Sequence, residues 1–257
     1  MDVQGAGVVV TGAGHGIGRA LARRMAAEGA RVVVNDLDPA AAEAVARETG
    51  ATAVPGDAAS EEGVAHLVGA ARDHLGKIDV YFANAGVDVG RGLDAPAEDW
   101  ERSLEVNVMA HVRAARQLVP AWLETGGGRF VVTASAAGLL TMLGSPTYSV
   151  TKHAAVGFAE WLSATYGHRG VVVQAVCPQG VRTRMLDEAG PLQEVLSHDT
   201  ALEPEDVAES VWQGLQDDRF LILPHPEVAD YYRLRASDTD RWLAGMRRLQ
   251  AKLDGVS

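Results

Sequence analysis

Tyr148 and Lys152 stand four apart in Tyr148-Ser149-Val150-Thr151-Lys152, thirteen residues beyond Ser135. The spacing i, i+4 puts both side chains on one helix face, a turn apart. An ammonium beside a phenol favours the phenolate, so the pair is expected to bring the tyrosine pKa down towards neutrality. A phenol tuned this way takes a proton from an alcohol or gives one to a carbonyl. With five Tyr and three Lys in the chain, chance supplies only about 0.06 such pairs, which sharpens a short motif. The plain alternative is a surface Tyr–Lys contact.

Thr11-Gly12-Ala13-Gly14-His15-Gly16-Ile17-Gly18 follows an apolar run and opens a helical pattern. Glycines let the backbone turn tightly and approach a pyrophosphate, while the helix N-terminus offers N–H groups and positive potential. Asp36 closes the second apolar run, 18 residues after Gly18. A carboxylate there accepts both ribose hydroxyls of adenosine and repels a 2′-phosphate. No Arg or Lys occurs in Asn35-Asp36-Leu37-Asp38, and position 15, where a base could hold the extra phosphate, is His. Both features point to NAD rather than NADP as cofactor. The alternatives are a plain tight turn at the glycines and a capping role for Asp36.

These groups need elements to position them. Apolar runs at 7–11, 31–35, 52–54, 78–82, 128–133 and 171–176 alternate with helix-patterned stretches. Those stretches cover 17–28, 39–49, 61–75, 97–125 with a break near Glu105 to Val106, and 146–168. Runs apolar on both faces and separated by helices predict a parallel sheet covered on both sides. Right-handed crossovers then give a doubly wound, Rossmann-like α/β fold, with ligands outside the carboxyl ends of the strands. Residues 220–224 read as a seventh strand, and 225–255 as a C-terminal helical extension with Trp242, Leu243, Met246, Leu249 and Leu253 at helical spacing. That extension is read as a packing helix or as a cover over a neighbouring subunit's pocket.

The 257 residues, 47% hydrophobic, suit one large domain spanning 1–257. No apolar run is long enough for a membrane span, and the N-terminus lacks the basic region of a signal peptide. A net charge of -11 repels nucleic acid and anionic membranes. The eight histidines show no paired-ligand spacing, so no metal site is expected. The single cysteine, Cys177, excludes an internal disulfide and fits a reducing cytoplasm.

Taken together, these residues resemble the short-chain dehydrogenase/reductase family over residues 5 to about 185. The loop at 11–18 matches its cofactor loop. Asp57 in Gly56-Asp57-Ala58 matches the acid that holds the adenine ring, and Asn84-Ala85-Gly86 matches the motif lying along the cofactor. Asn107, Ser135, Tyr148 and Lys152 match the catalytic tetrad in order and spacing. Pro178-Gln179-Gly180-Val181-Arg182-Thr183 matches the stretch holding the nicotinamide carboxamide through Val181 and Thr183. Gln179 stands where the family usually has glycine, which would aim a polar side chain at the substrate or require a different turn.

The resemblance implies reversible hydride transfer between the nicotinamide and a carbinol carbon. Tyr148 would be the general base or acid, Ser135 would bond the substrate oxygen, and Lys152 would lower the tyrosine pKa and hold the nicotinamide ribose. Asn107, at the helix break, would hold a water on a proton path. It also implies that residues 184–201 form a substrate lid, with Met185, Leu186, Leu192, Val195 and Leu196 apolar and Leu139, Leu140, Met142 and Leu143 opposite. No fixed cation clearly faces that pocket except Arg182 or Arg184, so an apolar secondary alcohol or ketone is the expected substrate. Val112, Leu118, Phe158, Trp161 and Leu162 are expected on exposed helix faces, as in relatives that pair these helices into a homotetramer, with a dimer as fallback. Two other readings stay open. One is a ketoreductase for acyl-carrier-bound substrates, docking through Arg129 and Arg169. The other is a regulator that binds NAD without chemistry.

Overall fold

Three-valine runs form the first two strands, Gly7–Val10 (β1) and Arg31–Val34 (β2), and feed two buried layers at once. Val9 and Val33 point into one core, while Val8, Val10, Val32 and Val34 point into the other. Alternation along a strand makes this inevitable when both faces are covered. Thr52–Ala53 (β3), Val80–Ala83 (β4), Gly128–Thr133 (β5), Val171–Val176 (β6) and Leu221–Ile222 (β7) complete the sheet. Its order is β3-β2-β1-β4-β5-β6-β7 and every neighbouring pair is parallel. The structure is a computed structural model and describes residues 2–188 and 201–255.

The helices are Gly16–Ala27 (α1), Pro39–Thr49 (α2), Glu61–Leu75 (α3), Ala97–Leu104 (α4), Ala110–Thr125 (α5) and Pro146–Tyr166 (α6), then Arg184–Asp187 (α7), Pro204–Asp217 (α8), Glu227–Ser237 (α9) and Thr239–Leu253 (α10). Local chemistry sets their ends. Asp38 accepts the N–H groups of Ala40 and Ala41 ahead of α2, and Ser60 accepts that of Gly63 in α3. Gly50 and Gly126 end α2 and α5 at φ 73° and 87°, a conformation costly for other residues.

Several boundaries differ from the sequence reading. The fourth strand begins at Val80 rather than Ile78, and the Asp79 carboxylate just before it accepts the Gly7 N–H at 2.8 Å. The expected break near Glu105 is a single π-helical turn, Glu105–Met109, so α4 and α5 run on through it. The helix expected to reach His168 ends at Tyr166, and the seventh strand shrinks to two residues. Leu118 and Leu162, expected on exposed faces, are each 1% exposed in the core. Trp161 remains 55% exposed, stacked on Phe158 and edge-on to Tyr166.

Chain order reverses between β1 and β4, so the crossovers after these two strands leave in opposite directions. The crevice this opens at the carboxyl ends is where a doubly wound sheet takes its ligand.

Candidate active site

At that crevice lies a cleft of about 1690 Å³. It exceeds the roughly 300–1,000 Å³ of a pocket for one drug-sized ligand.

At the β1 end, Gly12, His15, Gly16, Ile17 and Gly18 line it. Helix α1 starts there without a side-chain cap, unlike α2 and α3, so its N–H groups face the cleft unblocked by side chains. The loop has no room for a Cβ at any of its four glycines; at Gly18 a Cβ would come within 2.1 Å of the Gly12 carbonyl oxygen. Gly16 sits at φ +50°, and a Cβ there would come within 2.9 Å of the Thr183 methyl. Gly12 sits at φ +61°, and its Cβ would meet the Ala85 Cα at 2.9 Å. Gly14 lies behind the loop and does not line the cleft; it donates its N–H to the Asp36 carboxylate at 2.8 Å. These observations fit a dinucleotide: a glycine floor, free amides for a pyrophosphate, and Asp36, Leu37, Asp57 and Ala58 at the far end of the same wall.

Asn84, Ala85 and Gly86 form the middle of the floor. The Thr11 hydroxyl accepts the N–H groups of Asn84 and Ala85 at 2.9 and 3.0 Å, and the Asn84 amide donates to the Thr11 carbonyl at 2.9 Å. Thr11 thus ties β1 to β4 at the switch point.

Ser135, Tyr148 and Lys152 line the central part of the cleft. Ser135 follows β5 and its hydroxyl accepts the Ala137 N–H at 3.1 Å. Tyr148 and Lys152 share one face of α6, with the Lys152 Nζ 5.4 Å from the phenol ring centre. Asn107 does not reach the cleft surface. It is fully buried in the π-helical turn, where its amide bonds both the N–H and the carbonyl of Val87 at 2.9 Å and donates to the Thr151 hydroxyl at 3.0 Å.

The Lys152 ammonium donates to the Thr133 carbonyl at 2.8 Å. Burial raises the Tyr148 pKa above the usual tyrosine range; the Ser135 hydroxyl opposes the rise and the Asp88 charge adds to it. Burial also lowers Lys152 to about 8, against the pull of Cys177 and Asp88. Charge burial outweighs pairing here. Cys177 is buried, with its thiol pushed up to about 12 by burial, which makes it a poor nucleophile.

Pro178, Val181 and Thr183 line the cleft. Gln179 fits there without strain, since Asp218 is the only non-glycine with positive φ among the described residues. Its backbone N–H donates to Nδ1 of buried His225 at 3.1 Å. Leu140, Met142, Met185 and Leu186 also line the cleft, where the apolar substrate walls were expected. Leu139, expected there, is 2% exposed in the core, and Leu143 is not in the lining. Leu192, Val195 and Leu196 lie outside the described residues. Arg182 pairs with Glu203 at 3.0 Å, whereas Arg184 lines the cleft. Arg129, considered as a docking residue, is 5% exposed and bonds Gln174 at 2.7 Å.

Sequence reading missed His225, Thr151 and Asp88. Asp88, with its side chain 3% exposed, accepts from Arg91 and from Ser145, both at 2.6 Å. Thr151 precedes Lys152 and could have been found by helical phase. Nothing local marks His225 or Asp88.

Fold and cleft together define a Rossmann-like α/β protein with a hydroxyl, a phenol and an amine gathered at the strand ends. The family model for short chain dehydrogenases matches residues 6–193. A 1-deoxy-11-beta-hydroxypentalenate dehydrogenase of Streptomyces exfoliatus is 39% identical over 251 residues, covering 94% of this chain and 90% of its own. A meso-2,3-butanediol dehydrogenase of Serratia marcescens is 36% identical over 226 residues, covering 84% and 89%. The crystal structure of a short chain dehydrogenase/reductase from Burkholderia phymatum in complex with NAD superposes with a TM-score of 0.86 at 31% identity, covering 93% of this chain and 96% of that one. The chain belongs to the short chain dehydrogenase family and is an oxidoreductase.

Proposed function

We propose that this protein interconverts a secondary alcohol and a ketone with NAD as cofactor. The observation that carries the reading is that Ser135, Tyr148 and Lys152 line the same cleft as the uncapped start of α1 and Asp36. The relatives named for dehydrogenation of 1-deoxy-11-beta-hydroxypentalenate and of meso-2,3-butanediol support an alcohol substrate.

The dinucleotide, when bound, would take or give the hydride at the carbinol carbon. Gly12, Gly16, Ile17 and Gly18 would hold its pyrophosphate, with Gly14 and His15 shaping the loop. Asp36 would accept the adenosine ribose hydroxyls, Leu37 would cover that end, and Asp57 and Ala58 would hold the adenine. Asn84, Ala85 and Gly86 would run beneath it, and Pro178, Val181 and Thr183 would orient the carboxamide. Tyr148 gives its proton to a ketone oxygen in reduction and, as the phenolate, takes one from an alcohol in oxidation. Ser135 donates to the same oxygen and steadies its developing charge. Lys152 stabilises the phenolate as it forms and bonds the nicotinamide ribose. Asn107 fixes the segment at Val87 that floors the reaction centre.

A panel of secondary alcohols and ketones, with NAD and NADP, followed by NADH absorbance, tests this. Turnover should be faster with NAD. A marked NADP preference would overturn the role of Asp36, and no turnover of any alcohol or ketone would overturn the reading. We assign the exposed Phe158–Trp161 face of α6 to a homotetramer interface, or a dimer, which light scattering would check. The lone cysteine supports a cytoplasmic setting.

A further inference from the structure

The C-terminal helices α9 and α10 were expected either to pack or to cover a neighbour's pocket. Tyr231, Trp242, Met246, Leu249 and Leu253, with Lys252, line the cleft of their own chain, the cleft that holds Tyr148. Trp242, Met246, Leu249 and Leu253 make a single stripe along α10. The eleven residue steps from Trp242 to Leu253, at about 1.5 Å each, make that wall roughly 16 Å long. No side chain of α10 is buried, so the stripe is left half-covered by the protein itself. An apolar surface that ends in a cleft gains most when an apolar ligand fills the space beside it.

The wall is anchored. Arg235 of α9 donates to the Leu139 carbonyl, four residues beyond Ser135, and its guanidinium lies 5.4 Å from the centre of the Trp242 ring. It also meets Nε2 of His153, the residue after Lys152, at 3.0 Å. The His153 Nδ1 lies 2.8 Å from the Ser149 carbonyl, which can only accept. The Nδ1 therefore carries the proton, and Nε2 accepts from Arg235. One guanidinium thus ties the wall to the Ser135 segment and to the helix of Tyr148 and Lys152.

We infer that α9 and α10 form the substrate-selecting wall of this chain's own cleft, that Arg235 positions it, and that the substrate is a bulky, largely apolar alcohol or ketone. This rests on the alcohol–ketone reading above. A second copy of the chain is not needed to complete the wall, because the anchor is made within one chain.

The test compares a fused-ring alcohol, decalol, with isopropanol. Trp242→Ala and Leu249→Ala should each lower the ratio of kcat/KM for decalol over isopropanol at least about tenfold, through KM. Arg235→Ala should lower the same ratio, and Arg235→Lys should restore part of it. NADH titration by fluorescence shows that each variant is folded. An equal fall for both alcohols, or an unchanged ratio in variants that bind NADH, overturns the inference. If wild-type protein turns over no alcohol, the functional reading fails instead, and the wall is then read by binding. Decalol should shift the tryptophan emission of the NAD-loaded wild type to the blue but not that of Trp242→Phe; no shift in the wild type overturns the wall.

Discussion

The carboxylate of Asp36 accepts the N–H of Gly14 at 2.8 Å, across 22 residues of chain. One oxygen therefore braces the glycine loop from behind, while the other accepts the Asp38 N–H at 3.0 Å. The same carboxylate is the proposed ribose acceptor, so loop shape and cofactor choice are coupled through one side chain. Asp36→Ala should narrow the preference for NAD over NADP at least about tenfold, since the repulsion of a 2′-phosphate is removed. It should also weaken NAD itself. Kd values for NADH and NADPH by fluorescence check this; an unchanged ratio would remove Asp36 from cofactor selection.

Tyr148→Phe removes one oxygen from a buried site and leaves the ring in place. Turnover should fall by about 10²–10⁴, the usual worth of a positioned proton donor. NADH affinity should stay nearly constant. Strong residual activity would show that the proton moves by another group.

Asn107→Ala strips partners from both backbone groups of Val87 and from Thr151. A buried polar group left unpaired costs about 1–3 kcal/mol, so a loss of about 3 kcal/mol in unfolding free energy is expected. Asn107→Asp keeps an acceptor for the Val87 N–H but no donor for its carbonyl, and should recover little. Urea denaturation decides; a neutral Asn107→Ala would mean that the π-helical turn holds Val87 without the amide.

His111 lies 2% exposed on α5, its pKa lowered to about 3 by burial first and the Lys152 charge second. A group depressed in the folded state gives stability that is full above its unfolded pKa near 6.5 and is lost as pH falls towards the folded value. By about pH 5 the loss should reach roughly 2 kcal/mol. In His111→Gln the pH slope of unfolding free energy should be shallower by about one proton. Parallel slopes for the two proteins, in urea titrations between about pH 7 and pH 5, would show that His111 is not buried neutral.

Much was legible in the sequence because its signals are local. The three-valine runs and the capping residues Asp38 and Ser60 each act within one turn or strand. Their periodicity and spacing survive in any fold that buries them. Tyr148 and Lys152 share a face because a helix has a fixed pitch, whatever surrounds it.

What tertiary structure decided is where charge ends up and what packs against what. Burial raises the Tyr148 pKa, and desolvation depends on every neighbour in space. Leu118 and Leu162 turned inward because the sheet lies on that side of their helices, which no helical period specifies. Arg235 finds Leu139, His153 and Trp242 only once residues nearly a hundred positions apart are brought together. The sequence by itself determined the elements and the chemical groups they carry; folding in three dimensions decided which of those groups lose water, and therefore which wall the substrate would meet.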